Sequence, residues 1–217
     1  MAKDMRSKFD EQLSSLNEKL ILMGQAIEKN IQDAIDALVN GNTEKANQII
    51  KQDDEIDKMQ REIENICFGL LIQQQPVARD LRLITAAMKM VTDMERIGDH
   101  AVDISEMTEF LSVREMNDKF ETLKLMASEA TVMLIHSIDA FTEKSAEVAK
   151  DVIDHDDIVD TLFVNVKEEL IKLVSDSPEE GEAGLDILMI AKYLERIGDH
   201  ATNIAEWVLY SLDDKRE

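Results

Sequence analysis

A single cysteine, Cys67, occurs in 217 residues, so no internal disulfide and no cysteine-rich metal site can form. It sits among Ile66, Phe68 and Leu70, the setting of a buried helix thiol, and a reducing compartment follows. Proline occurs only twice and aromatic residues make up 4% of the chain. Together with abundant methionine, that is the profile of helix-on-helix packing rather than of a sheet protein. Basic residues are scarce as well: 24 Lys and Arg stand against 46 Asp and Glu, for a net charge of −22. No Lys/Arg stripe is present to contact phosphates, which argues against nucleic acid and leaves cations or basic protein surfaces as the natural partners. Also missing are an apolar leader behind the opening Met-Ala-Lys-Asp-Met-Arg and any charge-free apolar run of membrane-spanning length. A soluble cytoplasmic protein is expected. With 44% hydrophobic residues the chain can bury a core, and the expected fold is all-α.

What the chain does contain is a duplication. Residues 35–57 align with 138–160 at an offset of 103, so that Glu44, Ala46, Ile50, Asp53, Asp54 and Asp57 return as Glu147, Ala149, Ile153, Asp156, Asp157 and Asp160. The heptapeptide ERIGDHA is spelled at 95–101 and again at 195–201, an offset of 100, and Ile104 and Glu106 beyond it return as Ile204 and Glu206. Repetition at this period marks structural duplicates. Breakers cut the first half into a long helix ending near Asn40-Gly41-Asn42, a second up to Pro76 and a third to about Ser112. The counterparts run from 115 to 144, 146 to 174 and 179 to 212, with Ser175-Asp176-Ser177-Pro178 as the last turn. Two tandem three-helix bundles are expected, 1–112 and 113–217, with sequence neighbours antiparallel.

Helical phase places the acids beside the core rather than in it. On the second helix Ile56, Met59, Ile63, Ile66 and Leu70 share one face, while Asp57 and Glu64 stay close to Asp53. On the third, Glu95, Asp99, Asp103 and Glu106 form a stripe opposite Met90, Met94, Ile97, Ala101 and Ile104; the sixth helix repeats it as Glu195, Asp199, Asn203 and Glu206. Register then joins the helices. Asp57 and Glu95 are equally distant from Pro76, and so are Asp53 and Asp99; Asp160 and Glu195, like Asp156 and Asp199, are equally distant from the Ser177–Pro178 bond. Each bundle should therefore bring four carboxylates level on two adjacent helices, and a two-residue error in the turn would shift them by only about 3 Å.

Such a cluster repels itself, by about 0.2–0.5 kcal/mol for each i,i+4 pair, and bound cations would turn that cost into affinity. Carboxylates are hard oxygen ligands suited to Mg, Ca, Mn or Fe. One acidic pair is usually a solvated face; two pairs in matched register, duplicated, favour metal. His100 and His200 lie well round from the stripe and are expected in hydrogen bonds rather than on a metal. Arg96 and Arg196 are placed to pair with Asp99 and Asp199 at i,i+3, or to hold an oxyanion. Gly98 and Gly198 cost about 1 kcal/mol each inside a helix, which close helix approach would offset. Asp36 and Asp139 recur with a solvated or capping role.

Tandem three-helix bundles with ERIGDHA on the third helix and Asp-x-x-[Ile/Val]-Asp on the second resemble the PhoU family over essentially the whole chain, including QQPVARDLRL at 74–83 in the first half only. The resemblance implies a cytoplasmic, dimeric negative regulator of phosphate uptake and of the phosphate-starvation response. It implies action through the ATPase of a phosphate-specific ABC transporter and a sensor histidine kinase, with contact to the membrane only through these partners. It also implies multinuclear clusters of iron, zinc, manganese or magnesium on Asp53 with Asp57, Glu95 with Asp99, Asp156 with Asp160 and Glu195 with Asp199, which Asp103 and Asn203 extend by a turn. The asparagine breaks the pseudo-symmetry. Two other readings stand beside it: a carboxylate-bridged di-metal enzyme, and a metal-free scaffold whose acids only solubilise. The enzyme reading lacks the Glu-x-x-His ligand motif on the third and sixth helices, and no phosphate loop, nucleophile set or HExxH is present, so catalysis is not expected.

Overall fold

The computed structural model describes residues 2–73, 76–111 and 121–213. Its helices, among the described residues, are α1 (Ala2–Asn40), α2 (Thr43–Gln73), α3 (Ala78–Met107), α4 (Glu121–Glu143), α5 (Ala146–Asp176) and α6 (Gly181–Leu212), with a 3-10 turn at Pro178–Glu180. No strand occurs among the described residues. Apolar periodicity builds them: α1 buries Leu16, Leu20, Met23, Ile27, Ile31, Ala34 and Leu38 at steps of three or four, so one stripe of the helix faces the core along most of its length. Each large side chain so buried stabilises by about 1.5–3 kcal/mol.

Within each half the three helices pack on one another, and the halves then meet through α3 against α6 and α1 against α4. The result is two three-helix bundles sharing one continuous core, with α1, α3, α4 and α6 inside and α2 and α5 on the outer flanks. On α3 all of Met90, Met94, Ile97, Ala101 and Ile104 are buried, as are Ile190, Leu194, Ile197, Ala201 and Ile204 on α6. Cys67 is fully buried, and the loss of solvent pushes its thiol up to about 12, so it is a packing residue rather than a reactive one.

The first turn of each half is built the same way. Asn42 N donates to Ala37 O at 2.8 Å and Ser145 N to Ala140 O at 2.9 Å, closing each helix with a Schellman turn. The next helix is then capped by Asn42 Oδ1, which accepts from Lys45 N at 3.0 Å, and by Ser145 Oγ, which accepts from Val148 N at 3.2 Å. Such a turn needs a left-handed residue, which is Gly41 at φ 59° in the first half and Lys144 at φ 55° in the second. Asp36 pairs with Lys45 across the first turn at 3.4 Å, and the Asp139 carbonyl accepts from Thr142 Oγ1 at 3.1 Å.

The element ends differ from the sequence reading in three places. α3 stops at Met107 instead of near 112, because Thr108, Glu109 and Phe110 switch to bonds three residues back and tighten the chain into turns. α5 runs on to Asp176, so the four-residue turn expected at 175–178 shifts to Ser177 and the 3-10 segment, and α6 begins at Gly181 rather than 179. The expected start of α4 at 115, the 112/113 boundary and Gln74 and Gln75 of the QQPVARDLRL segment lie outside the described residues.

Candidate metal centres

The register expected from the turns is met by the packing. A Cβ built on Gly98 would lie 3.1 Å from Ile56 Cγ2, and one on Gly198 would lie 3.3 Å from Asp156 Oδ1 and 3.5 Å from Val159 Cγ1. Both glycines thus mark the close crossing of α2 with α3 and of α5 with α6 that the sequence suggested, and this crossing sets the height of the acids. In the first half the acids act on one another across the two helices. Loss of solvent, then the charges of Asp99, Asp57, Asp54 and Asp103, raise Asp53 above its ordinary value. Glu95 is raised by loss of solvent and by Asp99, is relieved by Arg96, and is raised further by Asp57 and Asp53.

The second half repeats the arrangement with α5 and α6. Asp156 is pushed up to about 6, first by loss of solvent and then by Asp160, Asp199 and Glu195. Asp199 is raised by loss of solvent and by Glu195, with Asp160 adding to it and Lys192 opposing it. Asp53, Asp57, Glu95 and Asp99 therefore form one interacting set, and Asp156, Asp160, Glu195 and Asp199 another.

The cations nearby differ between the sets. Arg96 Nη1 donates to Asp99 Oδ2 at 2.8 Å and its Nε lies 3.5 Å from Glu95 Oε2, as the i,i+3 spacing suggested; Arg61 stands 3.6 Å from Asp57. In the second set Lys192 takes Glu195, and Arg196 forms no ion pair with Asp199 among the described residues. The two ends of the stripe also part company. Asp103 Oδ2 meets His100 Nδ1 at 3.0 Å, whereas the Asn203 amide turns to α3 and donates to Asp93 Oδ1 at 3.3 Å. The same Asp93 oxygen meets His200 Nδ1 at 2.8 Å, so both histidines are in hydrogen bonds. Across the junction of the halves the two imidazoles lie 5.7 Å apart, and His100 also stacks on Tyr193 at 5.6 Å. Burial lowers His100 below the ordinary histidine value, against the pull of Asp103. A cavity of about 430 Å³ opens here, lined by Asp53, Asp99, Asp103, Arg96, Arg196 and the histidines.

Asp93 was missed by sequence reasoning, which followed what recurs. Position 93 does not recur: its counterpart at the offset of 100 is Tyr193. The break in repetition was itself the available signal. Also unsignalled was His155 Nε2, 2.7 Å from Glu129 Oε2, which ties α5 to α4 beside Asp156.

The residues fit a hard cation, although no three described His, Cys, Asp or Glu side chains already stand at metal-holding spacing. All the donors are carboxylate oxygens whose charges repel one another. The absence of a Cβ at Gly198 leaves room beside Asp156, and Thr202, near enough to favour that carboxylate's charged form, has a buried hydroxyl in no proper hydrogen bond. Asp53, Asp57, Glu95 and Asp99 would hold one site and Asp156, Asp160, Glu195 and Asp199 the other.

Duplicated helical bundles with a paired acidic cluster on the second and third helices of each half define a class of tandem-repeat helical proteins. The sequence pattern of the PhoU domain matches this chain twice, at 20–108 and 123–208. The chain belongs to the PhoU family. It is 39% identical to the phosphate-specific transport system accessory protein PhoU homolog of Clostridium acetobutylicum, over 97% of both chains. It is 34% identical to the homolog of Pseudomonas aeruginosa, over 94% of this chain and 84% of that one. Two crystal structures share the fold. PhoU from Pseudomonas aeruginosa matches with a TM-score of 0.85 at 33% identity, over 94% of this chain and 98% of that one. The phosphate transport system regulatory protein PhoU from Streptococcus pneumoniae matches with a TM-score of 0.86 at 30% identity, over 94% and 96%. No helix among the described residues is long and apolar enough to cross a membrane.

Proposed function

We propose that this chain is a cytoplasmic, non-enzymatic negative regulator of phosphate uptake and of the phosphate-starvation response. In this reading it docks, as a homodimer, on the ATPase of a phosphate-specific ABC transporter and on a sensor histidine kinase. The observation that carries the reading is the match to relatives named phosphate-specific transport system accessory proteins along nearly the whole of both chains. The acidic clusters fit it as metal sites for iron, zinc, manganese or magnesium. Bound cations would cancel negative charge on a −22 surface and so change how that face meets a charged partner.

The test is a phosphate-responsive reporter in the wild type, a deletion strain and a strain complemented with Asp57→Asn/Glu95→Gln. Deletion is expected to raise expression in phosphate-rich medium. Normal repression after deletion, in a genome with no second copy, would overturn the regulator; full repression by the double variant would leave it standing and remove the first cluster from its mechanism.

A further inference from the structure

The valley between the end of α5 and the start of α6 is an apolar break in this acidic surface, and Phe68, Ile72, Val77 and Leu81 are exposed at the equivalent end of the first half. Ile171 and Val174 on α5 face Leu185 and Leu188 on α6 across a trough of about 590 Å³ floored by Leu170. Ile171 is 72% exposed and Leu185 65%, so these are walls open to water rather than core residues at its edge. Gly184 lets the first turn of α6 lie against α5, since a Cβ there would stand 3.3 Å from Val174 Cγ2, and the valley keeps its depth. Pairs of large apolar residues three apart on each of two antiparallel helices are the receiving half of a helix-in-groove contact. A contiguous exposed apolar trough of this kind marks an interaction surface.

The rim tells what fits. Residues 167–191 carry seven acids and only two bases, Lys167 and Lys172. Lys167 stands over the Phe163 ring, 5.0 Å from its centroid. Lys167 lines the trough, while exposed Glu168 on α5 and exposed Glu182 on α6 each stand about one turn before a wall residue, Ile171 and Leu185. A second copy seated there would bring the same acidic rim against this one, and like charges across an interface oppose association. We propose that this trough docks an amphipathic helix of a partner protein whose apolar face is flanked by Lys and Arg. The proposal rests on the docking role put forward above and assigns it a surface; it needs neither metal cluster.

The probe is a synthetic Leu/Lys amphipathic helix of about 18 residues, some 27 Å long, titrated against the full chain by fluorescence anisotropy at near-physiological salt. Ile171→Ser/Leu185→Ser removes the apolar walls without changing charge, and both positions are exposed enough for the fold to survive, checked by thermal unfolding. Binding is expected to weaken at least about tenfold in this variant. It should be unchanged in Phe68→Ser, the repeat counterpart of position 171 in the other half, and lost when the peptide carries Glu in place of Lys. Equal affinity of Ile171→Ser/Leu185→Ser and wild type would overturn the proposal, as would equal binding of a Ser/Lys peptide. So would sedimentation showing a wild-type dimer that Ile171→Ser/Leu185→Ser dissociates, because the trough would then belong to a second copy. Normal reporter repression after deletion would fail the regulator while leaving this peptide result untouched.

Discussion

In the first half Arg96 reaches both Glu95 and Asp99, while in the second Lys192 takes Glu195 alone and Asp156, crowded by three other carboxylates, is pushed up to about 6. The two clusters come from one repeated pattern, yet a fixed guanidinium partly neutralises one and the other retains more of its repulsion. The histidines part in the same way: His100 bonds an acid on its own helix and stacks on Tyr193, whereas His200 reaches across to Asp93 on α3. Duplication supplied the frame, and single substitutions at positions such as 93/193 and 103/203 gave the halves different electrostatics within it. The glycines teach a similar lesson, since Gly98 makes room for the core side chain of Ile56 and Gly198 for the carboxylate of Asp156.

The largest effect expected from breaking this comparison is on metal. Asp57→Asn/Glu95→Gln should empty the first cluster and Asp160→Asn/Glu195→Gln the second, each lowering divalent-metal stoichiometry by its own share while the helical fold persists, because both relieve repulsion on a partly solvated face. Elemental analysis beside thermal unfolding reads this. Unchanged stoichiometry in either variant removes that site, and collapse of the fold makes the acids structural.

A smaller effect sharpens the comparison at the first turn of each half. Gly41 and Lys144 hold the same left-handed position, which costs a side-chain-bearing residue about 1–2 kcal/mol. Gly41→Ala should destabilise by about 1 kcal/mol, and Lys144→Gly should stabilise by somewhat less, since glycine also frees the unfolded chain. Chemical denaturation of the two variants decides it. Equal destabilisation by both would mean that the Lys144 turn is relaxed by contacts the Gly41 turn lacks.

The smallest effect concerns protons. Because the folded chain raises Asp156 above its unfolded value, its ionised form opposes folding at pH above about 6, and that opposition fades as pH falls towards the ordinary carboxylate value. Metal-free Asp156→Asn should therefore be more stable than wild type at about pH 7.5, by about 1 kcal/mol or less given solvent screening, with no difference near about pH 4. A stability gap of constant size across that range would place the cause elsewhere.

Much of this was legible in the chain. The acid sets were readable because Asp57 and Glu95, and Asp53 and Asp99, stand equally far from Pro76, and a tight antiparallel turn converts equal distance into equal height. Helix ends were less so. Whether α3 stops at Met107 or a turn later depends on where the last carbonyls find donors, and Thr108, Glu109 and Phe110 settle that by their own geometry. Asp93 showed in the chain only as a break in the repeat, and its role could not be read from that because it requires α6 beside it.

By itself, then, the sequence determined six helices, their duplication, the apolar stripe of each and the level at which the acids meet, since periodicity and short turns act between residues close along the chain. Only the tertiary structure decided how the halves lie against each other: α3 on α6, α1 on α4, one core instead of two, and the Asp93–His200 contact. That contact joins residues 107 apart in the chain, and no local pattern fixes the rotation of one apolar face against another at such a separation. It is set by which packing of the whole core leaves the least space and the fewest unpaired polar groups.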